Sequence, residues 1–196
     1  MNIIKFAKTI SMFIFVITIA ACSSLQVAAE KHVLDIGNQL PTINLTTPMD
    51  QSLRDYLGLK DKENFTLNEI KGEIVIIEIF SMYCPHCQKD APAINELYEL
   101  IESDKNLAKR VKLVGIGAGN STFEVGVFKN KYKVPFPLFA DNKLSIHKDI
   151  GSVRTPYFIG IYNQGKMKNQ IFFSQLAGFS GARKFLDNIL EATDCQ

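Results

Sequence analysis

The segment Cys84-Pro85-His86-Cys87 places two thiols three positions apart, with a proline and a histidine between them. At the start of a helix such a pair can close a disulfide within one turn. A helix N-terminus also offers free backbone N–H groups and the positive end of the macrodipole, and both stabilise a thiolate. Cysteines in helix-terminal C-x-x-C pairs commonly have pKa values lowered to about 3.5–7.5. The thiolate then attacks a disulfide sulfur through a mixed disulfide. Cys84 is therefore expected to be the exposed nucleophile and Cys87 the shielded resolving thiol. His86, as a donor or partial cation beside Cys84, would favour the thiolate further. A more stable thiolate stabilises the reduced form and makes the disulfide a better oxidant, so Pro85-His86 points towards disulfide donation. Glu78 interrupts an apolar run six residues before Cys84. A carboxylate there is costly without a partner or a task. It is expected to lie buried beneath the pair with a raised pKa and to relay the proton of Cys87. The redox-active disulfide Cys84–Cys87 is itself the reactive group, so no cofactor and no metal is expected.

The elements around this segment must hold it in place. Ile74 to Phe80 is a short β-branched run of the kind buried on both faces of a parallel sheet. After Ser81-Met82-Tyr83 the pattern predicts a helix from Pro85 to about Glu102, with Ile94, Leu97, Tyr98 and Ile101 at helical spacing. Pro85 suits its first turn and Pro92 should kink it. Val111 to Ile116 reads as the next strand. Gly115, Gly117 and Gly119 follow in a cluster that lacks the residues of a phosphate loop, and Asn120-Ser121 caps a helix to about Tyr132. Phe136 to Phe139 reads as a strand, Leu144 to Ile150 as a short helix, and Pro156 to Tyr162 as a strand. A turn at Asn163 to Lys166 then leads to a return strand, Lys168 to Gln175. Gly181 to Ala192 is the last helix. The fold class is α/β: a mixed sheet with helices on both faces, and the cysteine pair at the carboxyl end of a strand.

The N-terminus reads as an export signal. Lys5 and Lys8 precede the apolar run Ile10 to Ala21, which is too short to span a bilayer. Ile19-Ala20-Ala21-Cys22 resembles a bacterial lipobox, with Cys22 as the lipidated residue. Val27-Ala28-Ala29 would suit ordinary cleavage before Glu30. The lipobox is preferred because Cys22 ends the apolar run, giving a signal over 1–22, a tether over 23–40 and the α/β domain over 41–196. Either route exports the chain to an oxidising compartment, the periplasm, with a lipid anchor as its only membrane contact. The net charge of +2 comes from the leader, and a neutral remainder argues against nucleic acid. Cys195 is left over: it reads as part of a frayed tail, or as a cysteine that pairs between chains.

Ile77 to Cys87 looks very like the active-site segment of DsbA-type oxidases. The rest of residues 65–192 resembles the TlpA/ResA branch of the thioredoxin superfamily, within the AhpC/TSA and redoxin group. Phe65-Thr66-Leu67, Ile70-Lys71-Gly72, Tyr132 to Pro137, Phe139-Ala140-Asp141, Thr155-Pro156 and Gly178 carry that likeness. The distance from Cys87 to Pro156 fits that branch's inserted βα unit. The resemblance implies a thioredoxin fold, a cis bond at Pro156, substrate contact through Pro85, Thr155 and Pro156, and a buried acid at Glu78. It also implies protein thiols and disulfides of the envelope as substrates and a membrane redox partner. Tyr83 and His86 stand where TlpA-like proteins usually carry Trp and Pro, which moves the expectation away from the reducing role usual in that branch. Rival readings are a copper carrier using Cys84, Cys87 and His147, a peroxiredoxin-type peroxidase, and a binding module with a vestigial disulfide.

Overall fold

The computed structural model describes residues 33–176, 179 and 181–194. Among these residues seven strands and six α-helices follow one another, beginning with β1 (Asn44–Thr46), α1 (Gln51–Leu57) and β2 (Asn64–Thr66). They continue with β3 (Ile74–Phe80), α2 (Pro85–Ser103), α3 (Lys105–Arg110), β4 (Val111–Ala118), α4 (Thr122–Tyr132) and β5 (Leu138–Asp141). The last four are α5 (Ser145–Asp149), β6 (Tyr157–Tyr162), β7 (Ile171–Leu176) and α6 (Ala182–Asp194). The main sheet runs β5-β4-β3-β6-β7, parallel on the β5 side of β3 and antiparallel on the β7 side. This is the mixed sheet the residue pattern predicts. The strand β3 is central and buried throughout.

Alternation along β3 divides the interior into two cores, because successive strand side chains point to opposite faces. Ile74, Ile76 and Phe80 pack with Cys87, Ile94 and Leu97 of α2 and Phe185 and Leu186 of α6. Val75, Ile77 and Ile79 pack with Leu57, Phe65, Leu67 and Ile150 on the other side. Glu78 shares the parity of Ile76 and Phe80, so its carboxylate faces the core that lies under α2.

Two expectations are corrected. The stretch 23–40 is not a tether over its whole length. Leu34 and Leu40 are buried, and Gly37, Leu40 and Ile171 exchange backbone hydrogen bonds with Ile171, Asn169 and Asn38. Packing thus reaches back at least to Leu34, ahead of residue 41. The return strand also starts later than expected: β7 begins at Ile171, and Asn169 and Gln170 before it exchange backbone hydrogen bonds with Tyr162. The connection before it is a 3₁₀ turn, Gly165–Met167, with Gly165 at φ +71° as the turn requires. The lead-in to β3 also contains the small antiparallel sheet β1-β2, which its polar composition hides. Signal, Cys22, Gly178 and Cys195 lie outside the described residues.

Candidate active site

The chain leaves β3 at Phe80, turns through Ser81-Met82-Tyr83, and enters α2 with Cys84 as N-cap and Pro85 as first helical residue. A proline suits that position because its missing N–H would have no intrahelical partner. Cys84 is half-buried and Cys87, one turn along, is fully buried; both are free thiols. In its neutral form the Cys84 Sγ–H donates to the carbonyl of Thr155 at 3.3 Å. Desolvation works against the Cys84 thiolate. Hydrogen bonds from the Thr155 side chain, the Cys87 amide and thiol and the His86 amide outweigh it, and the group sits below an ordinary cysteine. Burial pushes Cys87 far the other way, reinforced by its hydrogen bond to Cys84 and by the charge of Glu78. The pair is therefore strongly unequal: one sulfur is reachable and acidified, the other sealed and held protonated.

Glu78 is only 2% exposed, and its Oε1 has no hydrogen-bond partner. Burial, then the negative charges of Asp90 and Cys84, raises its carboxyl to about 8. A group with that value is neutral over most of the physiological range and can exchange a proton near neutrality. The Thr155–Pro156 bond is cis; Pro156 is buried and Thr155 half-buried at the start of β6. His86 is exposed, and its amide rather than its imidazole contributes to the sulfur. Pro85 is exposed beside it.

His147 lies apart from the cysteines. Its Nε2–H donates to the Val153 carbonyl at 2.7 Å. Among the described residues, no three His, Cys, Asp or Glu side chains are grouped to hold a metal ion.

Three supports escaped the reading of the residues. The Met82 amide donates to the side chain of buried Asn120 at 2.8 Å, and Gln88 Nε2 donates to the Met82 carbonyl at 2.7 Å. The Tyr83 hydroxyl donates to Glu124. Glu124 also closes a capping box with Ser121 at the start of α4, and these bonds, that of Tyr83 first, hold its carboxyl down at about 2. Ser121-x-x-Glu124 is a legible capping signal. The partnership with Tyr83, across two elements, is not.

The AhpC/TSA family model matches residues 36–176. The chain is 28% identical to the thiol-disulfide oxidoreductase ResA of Bacillus thuringiensis over 147 residues, 75% of each chain. Among solved structures it is similar to a Chlorobium tepidum protein described as thiol:disulfide interchange protein DsbE, with TM-score 0.61, 16% identity and coverage of 81% and 98%. It is similar too to the thioredoxin domain of a thiol-disulfide oxidoreductase from Bacteroides vulgatus, with TM-score 0.59, 15% identity and coverage of 80% and 99%. At these identities the two structures establish a shared thioredoxin fold.

Proposed function

Since the chain belongs to the AhpC/TSA family and is a ResA-like thiol-disulfide oxidoreductase, we propose that it exchanges disulfides with exported proteins through Cys84 as nucleophile and Cys87 as resolving thiol. The inequality of the two thiols is the observation that carries this reading. In the oxidising direction a client thiolate attacks Cys84 Sγ of the Cys84–Cys87 disulfide. Cys87 leaves as a thiolate and takes the proton of the neutral Glu78 carboxyl. A second client thiolate then attacks the client sulfur of the mixed disulfide, and Cys84 leaves as a thiolate. The client loses two electrons and the cysteine pair gains them. Run backwards, the same steps reduce a client disulfide, with Cys84 attacking and Cys87 resolving.

The low-lying Cys84 thiolate is the better leaving group, which favours the oxidising direction. Thr155, before the cis proline, presents backbone beside the sulfur and is the main-chain contact proposed for the client. A membrane redox partner would restore the resting state. Export follows from the leader, with Cys22 as the lipidated anchor; mass spectrometry of the mature N-terminus distinguishes this from cleavage after Ala29. Among the described residues, no helix is long and apolar enough to cross a membrane.

The reading is tested by titration against glutathione redox buffers together with trapping on a Cys87→Ala variant. The expected result is a single two-electron transition and mixed disulfides held at Cys84. Absence of the transition, or adducts that survive Cys84→Ala, would overturn it.

A further inference from the structure

A cavity of about 700 Å³ opens beside the loop that carries Thr155, walled by Ser152, Arg154, Tyr157 and Ser174 and faced by Asp35 from the N-terminal segment. This loop is held rather than free. The Ser152 amide donates to the His147 carbonyl at 2.8 Å, and the His147 ring donates to the Val153 carbonyl. The short helix bearing His147 is in turn fixed by buried Asp141, whose carboxylate accepts from Ser145, Ile146 and His147. Thr155 then places its carbonyl on Cys84 Sγ. The cavity wall is therefore registered to the reactive sulfur through a short, fixed stretch of chain.

The cavity is lined mainly by apolar groups, Leu34, Ile36, Ile150 and Val153 among them, and its charged side chains are Arg154 and Asp35. Arg154 is exposed, and the ion pairs among the described residues, Lys62–Glu69 and Arg110–Glu73, do not include it. The Tyr157 and Ser174 hydroxyls share a single hydrogen bond of 2.7 Å, so one of the two O–H groups is left to donate elsewhere. A guanidinium and a hydroxyl donor fit a carboxylate. Asp35 on the facing wall opposes an acid, so Arg154 and the hydroxyl donor must outweigh it for a client carboxylate to be held.

We propose that this cavity is a client subsite that takes an acidic side chain flanking the client's cysteine, with Arg154 as its cation. The inference rests on the disulfide-exchange reading above. It makes Arg154 a specificity residue: it acts on which polypeptide is held, not on the sulfur chemistry.

The test uses three model peptides that differ only in carrying Glu, Gln or Lys a few residues from their single disulfide. Exchange is followed with the full chain, with Arg154→Gln and with Arg154→Glu, and with the neutral 2-hydroxyethyl disulfide as reference. The parent protein should prefer the Glu peptide over the Gln peptide by about fivefold in kcat/KM, through KM, the scale of a rim ion pair. Arg154→Gln should bring the ratio to one, and Arg154→Glu should turn preference to the Lys peptide. The parent's preference should shrink at high salt. An unchanged Glu-to-Gln ratio in Arg154→Gln overturns the subsite. So does a parent that shows no preference, or a loss in the variants equal for all peptides and for 2-hydroxyethyl disulfide. Failure of the parent protein to exchange with 2-hydroxyethyl disulfide would instead strike the exchange reading itself.

Discussion

At the scale of single residues, the unequal environments of three groups set the chemistry. The Glu78 carboxyl in the folded chain titrates at about 8, above the 4.5 of a free glutamate. Between these values the unfolded chain has released a proton that the folded chain still holds. Stability from this group is intact below about 4.5, falls as pH rises towards 8 and levels off beyond. Glu78→Gln removes that dependence. The variant should therefore gain on the parent between pH 4.5 and 9 by on the order of 5 kcal/mol, read by urea denaturation at each pH. The same substitution should slow exchange near neutrality, where the carboxyl would hand its proton to Cys87. For Cys84, the Thr155 side chain is among the groups that lower the thiol. Thr155→Ala should move the midpoint of iodoacetamide alkylation of the reduced protein to higher pH. In the parent, Cys84 should react and sealed Cys87 should not.

At the scale of elements, the reactive loop is clamped between the ends of β3 and β4. Gly115 faces Glu78 across the β3–β4 ladder, and a Cβ there would stand 2.4 Å from Leu138 Cδ2 and 3.4 Å from the Phe80 ring. Gly115→Ala should cost about 1–3 kcal/mol, measured by denaturant unfolding, because that leucine must leave its rotamer. Of the glycines read from sequence as a strand-to-helix turn, Gly115 and Gly117 instead lie within β4, where Gly115 serves close packing. The strands β3, β4 and β6 and the helices α2, α4 and α6 were legible because apolar period and capping chemistry are local signals. Glu78 was legible too, as a lone charge in an apolar run. The clamp on Met82 and Tyr83 was not, since Asn120 and Glu124 meet them only after β3 and β4 have paired in register.

At the scale of the whole molecule, the N-terminal segment belongs to the fold. Its partners Asn169, Gln170 and Ile171 lie at the far end of the chain, so no local pattern could announce them. A chain shortened to begin at Pro41 forfeits the burial of Leu34 and Leu40. It should be less stable than one beginning at His32 by about 3–5 kcal/mol, seen as a lowered Tm. Pairing of that segment with β7 also builds one wall of the cavity beside the cis proline, so the shorter chain should discriminate less among clients. The concealment of one sulfur has a further consequence, for timing. Once a client is joined to Cys84, the group that can expel it is already inside the protein. The lifetime of the joined species then has an upper bound set by attack of Cys87, whose rate depends on this chain and on the client's leaving thiol, not on the supply of outside thiols. A captured polypeptide that cannot complete its own exchange is let go on an internal clock rather than by waiting for another thiol to arrive.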